Sequence, residues 1–257
     1  MEHRRFFYPV LSLLLVFVLF VSLPGCGAAF AEDPVILADQ AVREVTLNGD
    51  GASFDCGGVT VSGSTITIGA PGIYSFTGTL NDGQIRVSLN DDEQAKLIFS
   101  GVSITSRNDA AVFVANADKV TLEIADGTES TVVSGTAESA AAFDAARTGA
   151  AIYSAVDLKF SGSGTLRVTG NLNNGIGSKK DLDIKNCTMA VEAVNNGLKG
   201  NNSVEISGAS LLIRAGNDGI KTDTQKEGKG YVTIVSSSLE IIAAKGITAD
   251  GEITFVP

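Results

Sequence analysis

Residues 173–222 read NNGIGSKKDLDIKNCTMAVEAVNNGLKGNNSVEISGASLLIRAGNDGIKT. Inside this stretch Asn173-Asn174-Gly175-Ile176 returns as Asn195-Asn196-Gly197-Leu198 and again as Asn217-Asp218-Gly219-Ile220, at a step of 22 residues. A fixed period of this size marks stacked structural units, each too small to bury a core alone. The residues between the starts align as well. Ile176, Leu198, Ile220 and Ile247 form one column. Leu182, Val204 and Val232 form a second, with Ile184, Ile206 and Ile234 beside it. Met189, Leu211 and Leu239, then Val191, Ile213 and Ile241, form a third. Apolar residues alternate with polar ones inside each short segment, the signature of a half-buried strand. Three strands per repeat, joined by Gly, Asn, Asp and Ser, predict an all-β, right-handed parallel β-helix.

Working outward, weaker repeats precede the clear ones: Ile152 with Leu158, Phe160, Leu166 and Val168, then Val112 with Val120 and Leu122, then Ile85 with Leu97 and Ile104. About seven coils of ~22 residues would make a rod of ~35 Å at the spacing of parallel strands. A loop, Thr224 to Gly230, interrupts the third clear repeat, and the Ala-rich stretch Ala137–Ala146 reads as a loop with a single helical turn. Ile253 to Pro257 read as a strand with an open edge.

The first residues read as an export signal: Arg4 and Arg5, then an apolar run from Val10 to Leu23 that is short for a membrane span. Two endings stay open. Ala29-Phe30-Ala31 is a small-x-small cleavage site, giving a signal over residues 1–31. Leu23-Pro24-Gly25-Cys26 resembles a lipobox, giving residues 1–25 and lipidation of Cys26. Residues 32–62 are expected to form an N-terminal segment or cap, and 63–257 the β-helix. The expected location is extracellular, either free or lipid-anchored at the bacterial cell surface.

Composition excludes several chemistries. The single histidine, His3, lies in the signal, so an exported chain has none. That removes Ser-His-Asp and Cys-His catalysis and the usual zinc sites. Three cysteines, Cys26, Cys56 and Cys187, make no disulfide framework. A net charge of −10 disfavours nucleic acid and anionic lipid, leaving a lipid anchor as the route to a membrane. There is no Trp to stack neutral sugars.

Chemistry is therefore expected on the outside of the stack. Alternation places Lys179, Lys199, Asn201, Lys221, Asp223, Thr248 and Asp250 outward, with Asn174, Asn196 and Asp218 at the turn just before. Lys199 and Lys221 fall on adjacent coils, where like charges repel unless an anion or neighbouring acids offset them. Lys199, Lys221, Asn196, Asn201 and Asp218 are the candidate ligand-binding residues. Asp218, Asp223, Asp181 and Asn196 are the candidate oxygen ligands for Ca²⁺. The turn Asn90-Asp91-Asp92-Glu93 reads as a solvated acidic turn. The competing structural reading of Asn173, Asn174, Asn195 and Asn196 is that their amides bond up the stack.

These motifs, with Gly72-Ile73-Tyr74, Thr79-Leu80-Asn81-Asp82-Gly83, Gly101-Val102-Ser103-Ile104-Thr105 and Ala125-Asp126-Gly127-Thr128-Glu129, resemble the carbohydrate-binding β-helix domain of secreted bacterial proteins related to family 9 pectate lyases. The resemblance covers about Ile66 to Asp250. It implies a non-catalytic module for acidic polysaccharide of the polygalacturonate kind, with calcium at Asp-rich turns. Asp218 matches the family's N-D-G-I motif and Asp181 its K-D-D part, whereas Asn174 and Asn196 depart from the motif acid. Two other functions stay open. A calcium-dependent pectate lyase would use Lys199 or Lys221 as base, although a lysine flanked by acids holds its proton. A surface adhesin would meet a protein through a strand edge or the Ala137–Ala146 loop.

Overall fold

The structure is a computed structural model that describes residues 41–136 and 149–257. The expected export signal, Cys26 with its expected lipidation, and the Ala137–Ala146 stretch lie outside the described residues. Within them there are 25 strands and no helix.

The chain winds as a parallel β-helix of about seven turns. The first strands of successive coils, among them Ala150–Ser154, Asn174–Ser178, Leu198–Gly200, Asp218–Lys221 and Lys245–Thr248, build a nine-stranded sheet. The second and third strands build two further parallel stacks. These are joined into one 16-stranded sheet by the long strand Gly72–Leu80, which pairs with Gln94–Phe99 over one end and with Ser103–Ser106 over the other.

The apolar columns read from the repeat are in register. Ile176 faces Leu198, Leu198 faces Ile220, and Ile220 faces Ile247. The longest column passes through Leu97, Leu122, Phe160, Ile184, Ile206 and Ile234. All six are buried. Each such side chain contributes about 1.5–3 kcal/mol by leaving water, so the coils hold one another up. Phe255 ends this column, pairs on one side only and is 65% exposed.

Two antiparallel pairings lie at the N-terminal end. Val42–Gly49 adds in parallel to Gly72–Leu80 and folds back on Ala52–Phe54, and Val59–Ser62 pairs antiparallel with Thr65–Ile68. Antiparallel strands of this kind cover an edge that would otherwise be free to pair. The segment expected to be a cap thus has strand structure from residue 42 and joins both sheets.

Candidate binding face

The outer side of the first-strand sheet carries a row of residues, one per coil, at the position after each buried column residue. Register places Arg86 beside Phe113, Phe113 beside Tyr153, Tyr153 beside Gly177, Gly177 beside Lys199, and Lys199 beside Lys221. The row spans five strand spacings, about 24 Å. It is ordered along its length. The Arg86 guanidinium lies 4.6 Å from the centroid of the Phe113 ring, a cation–π contact. The rings of Phe113 and Tyr153 stack at 5.7 Å and 10°. Lys199 Nζ pairs with Asp223 Oδ2 at 2.6 Å, and Lys221 has no ion-pair partner among the described residues.

The structure brings the two candidate lysines together on this row, with Asp223 on Lys199. It does not offer Asn196 and Asp218 to solvent. Asn196 is 3% exposed and Asp218 1%. Each turn stacks directly on the next, so a side chain there is enclosed by those of the coils above and below. Asn196 Nδ2 donates to Asn174 Oδ1 at 2.9 Å, and Asn195 Nδ2 to Asn173 Oδ1 at 2.7 Å. The backbone N–H of Asp218 donates to Asn196 Oδ1 at 3.3 Å, and Asp218 Oδ1 accepts from the Thr248 hydroxyl at 2.5 Å. These amides bond up the stack, as the structural reading expects. Asn201 is half-buried at the end of its strand and its backbone N–H bonds the Ser178 carbonyl at 3.0 Å.

Of the four candidate calcium ligands Asn196 and Asp218 are neighbours in the turn ladder, but the three carboxylates do not gather. Asp218 sits in the turn ladder and Asp223 on Lys199. Asp181 accepts from the Ser203 hydroxyl at 2.8 Å and pairs with Lys229 at 3.4 Å, in the 16-stranded sheet. Among the described residues no three His, Cys, Asp or Glu side chains group as metal ligands. The residues named from sequence therefore do not fit a single calcium cage. The acidic turn at Asn90 closes on itself, with Glu93 Oε2 accepting from the Asn90 N–H at 2.9 Å.

The second-strand stack carries a different cluster. Asp183 lies between Lys159 and Glu205 in register. Burial, then the charges of Glu205, Asp181 and Asp157, raise its pKa to about 7 against the partial relief of Lys159. Tyr231, which donates to Glu205 at 2.6 Å, is also pushed up by burial and by that bond. A carboxyl whose folded pKa lies above its unfolded value of 3.8 favours folding when protonated, and the contribution is lost as pH rises through about 7. Asp183→Asn is thus expected to raise Tm by about 3 °C at pH 8 and to leave it unchanged near pH 4, read by thermal melts across that range.

Sequence reasoning missed Arg86, Phe113 and Tyr153 as site residues. The signal was present: each stands one place after an apolar column residue, the same offset that selected Lys199 and Lys221. A surface groove of about 480 Å³ lies elsewhere, at the ends of the third strands beside Glu192, Val194 and Arg214. A flat row of side chains leaves no enclosed volume, so a groove is no guide to it.

The parallel β-helix of this chain matches the fold of a polysaccharide lyase-like protein. A polysaccharide lyase-like protein from C. thermocellum, solved as a gadolinium derivative, superposes with a TM-score of 0.75 at 32% identity, over 84% of this chain and 97% of that one. The chain belongs to the family of carbohydrate-binding domain-containing proteins, whose profile matches residues 62–255. A member from Acetivibrio thermocellus is 38% identical over 175 residues. That match takes in 67% of this chain and spans 61% of the relative's length.

Proposed function

We propose that this protein is an exported, non-catalytic module that binds an acidic, polygalacturonate-like polysaccharide along the outer face of the first-strand sheet. One observation carries the reading: Arg86, Lys199 and Lys221 stand in one row on a chain of net charge −10. A polyanion is repelled by most of such a surface and attracted at the row, which sets where it lands and in what direction it runs. Exposed lysine–carboxylate contacts are each worth about 1 kcal/mol or less, so affinity must come from several of them along a repeating ligand.

Lys199 is committed to Asp223, which disfavours it as a lyase base, whereas Lys221 has no ion-pair partner among the described residues, so the product assay below decides between binding and catalysis. Calcium takes a subordinate place. Asp223 Oδ1 is a buried oxygen without a hydrogen-bond partner, but the Lys199 ammonium on the same carboxylate repels a dication. Export rests on the basic and apolar start of the chain, and the mass of the mature N-terminus distinguishes cleavage after Ala31 from lipidation of Cys26.

The test is a titration of polygalacturonate, alginate and cellulose with and without a chelator, with unsaturated uronide measured on the same samples. Binding to the two acidic chains is expected, weakened about fivefold or more between low and high salt, and changed less than about twofold by the chelator. Binding to cellulose alone would overturn the acidic reading, and accumulation of unsaturated product would make the protein a lyase.

A further inference from the structure

Two arginines among the described residues stack on aromatic rings, and they differ in what else they hold. Arg43 lies 5.1 Å from the centroid of the Tyr74 ring and spends its Nη1 on the Tyr74 hydroxyl and the Pro71 carbonyl. Arg107 and Arg167 are committed as well, to Asp82 and to Glu129. Arg86 lies over Phe113 and makes no hydrogen bond or ion pair among the described residues. It stands outward on its strand, half-buried, with a planar fork of N–H donors and no acceptor from the protein.

The ring stack holds that fork in place. Phe113 rests on Tyr153 with the two rings 10° from parallel. Tyr153 in turn leans over Gly177, which is buried, and a Cβ added there would touch Tyr153 Cδ2 at 3.6 Å. Each plane is therefore supported by the next coil. A guanidinium laid on a ring has given up rotamer freedom before any ligand arrives. Stacking covers its face, whereas its N–H groups point from its edge.

The cations of the row fall into two groups. Lys199 and Lys221 are one strand spacing apart. Arg86 stands four spacings from Lys199, ~19 Å, counted through Phe113, Tyr153 and Gly177, none of which is charged. A linked uronate chain advances by roughly one such spacing, ~5 Å, per sugar. We propose that Arg86 is a carboxylate anchor at one end of the row, opposite the lysine pair, so that a polyuronate needs about five sugars or more to engage both ends. This rests on the acidic-polysaccharide reading above and adds a specificity residue and a minimum ligand length. The arginine fork matches the two oxygens of one carboxylate, whereas the lysines act as point charges that accept any anion.

The experiment is calorimetric titration of purified tri- and hexagalacturonate, and of the polymer, into the wild type, Arg86→Ala, Arg86→Lys, Phe113→Leu and Lys199→Ala/Lys221→Ala. Thermal melts of the same samples report folding. The hexamer is expected to bind the wild type about tenfold or more tighter than the trimer, because it alone of the two reaches both ends. Arg86→Ala is expected to weaken the hexamer about tenfold and to leave the trimer, which sits on the lysine pair, within about twofold. Arg86→Lys keeps the charge and loses the fork, and is expected to weaken the hexamer about fivefold. Phe113→Leu removes the ring beneath the fork and is expected to weaken it about threefold. Unchanged hexamer affinity in Arg86→Ala, or an equal loss for both oligomers, overturns the anchor, and weakening in the double lysine variant then leaves the acidic reading intact. Wild-type affinity in Arg86→Lys overturns the fork. A wild type that binds the polymer with no gain from trimer to hexamer overturns the length requirement alone, and one that binds neither hexamer nor polymer overturns both readings.

Discussion

Replacing both Lys199 and Lys221 with alanine is expected to weaken binding to polygalacturonate by up to about thirtyfold while Tm changes by no more than about 3 °C. The two ammonium groups lie on adjacent coils of one sheet, paired in register. Lys199 reaches Asp223, and Lys221 has no ion-pair partner among the described residues. Their removal therefore breaks one half-buried ion pair, a modest loss to folding. It also relieves the repulsion of two like charges held side by side. For a polyanion the change is large, because adjacent cations meet successive charges of the same chain and their effects multiply. A corollary concerns salt. The double variant should lose most of the salt dependence along with the affinity, since the screened interaction is the one removed. Affinity gels or titrations at two ionic strengths check both, and undiminished binding in the double variant would remove the row from the binding face.

The second large effect is on stability. Gly197→Ala is expected to cost about 2–3 kcal/mol and to lower Tm by roughly 5–10 °C, measured by thermal or denaturant unfolding. A Cβ at this position would overlap the Ile213 side chain, which is fully buried, and would press on the Gly219 carbonyl of the next coil. Neither neighbour can yield freely, because Ile213 is packed in register between Val191 and Ile241 and the Gly219 carbonyl belongs to the stacked turn. Gly177→Ala offers the comparison: the same added methyl group meets only ordinary contacts, and its expected effect on Tm is within about 2 °C. Two glycines twenty residues apart in one sequence pattern thus have different causes, one packing and one free of it.

The parallel β-helix was legible in the sequence because its cause is repetitive. A coil cannot bury its own apolar residues, so like residues must recur at the coil period, and the columns through Ile176 and Ile184 can be read without coordinates. The lysine row was legible by the same alternation. Phe113 and Tyr153 were overlooked because their coils are irregular in length, 40 residues apart across the 137–148 interruption, and the 22-residue step that aligned Lys199 with Lys221 does not reach them. Asn196 and Asp218 were misplaced for another reason. Alternation describes strands, and at a stacked turn a polar side chain is enclosed by its counterparts in adjacent coils, so a position outside the strand is not an exposed one.

By itself the sequence determined the architecture, since that depends on a period that recurs along the chain. Tertiary structure alone decided which side chains share a face. It drew Arg86, Phe113 and Tyr153 into line with the lysines, and it placed Asn196 and Asp218 in the turn ladder while pairing Asp223 with Lys199 and Asp181 with Lys229. The physical reason is that a stacked fold turns register between coils into adjacency, and register across unequal loops is settled by strand pairing in three dimensions rather than by distance along the chain.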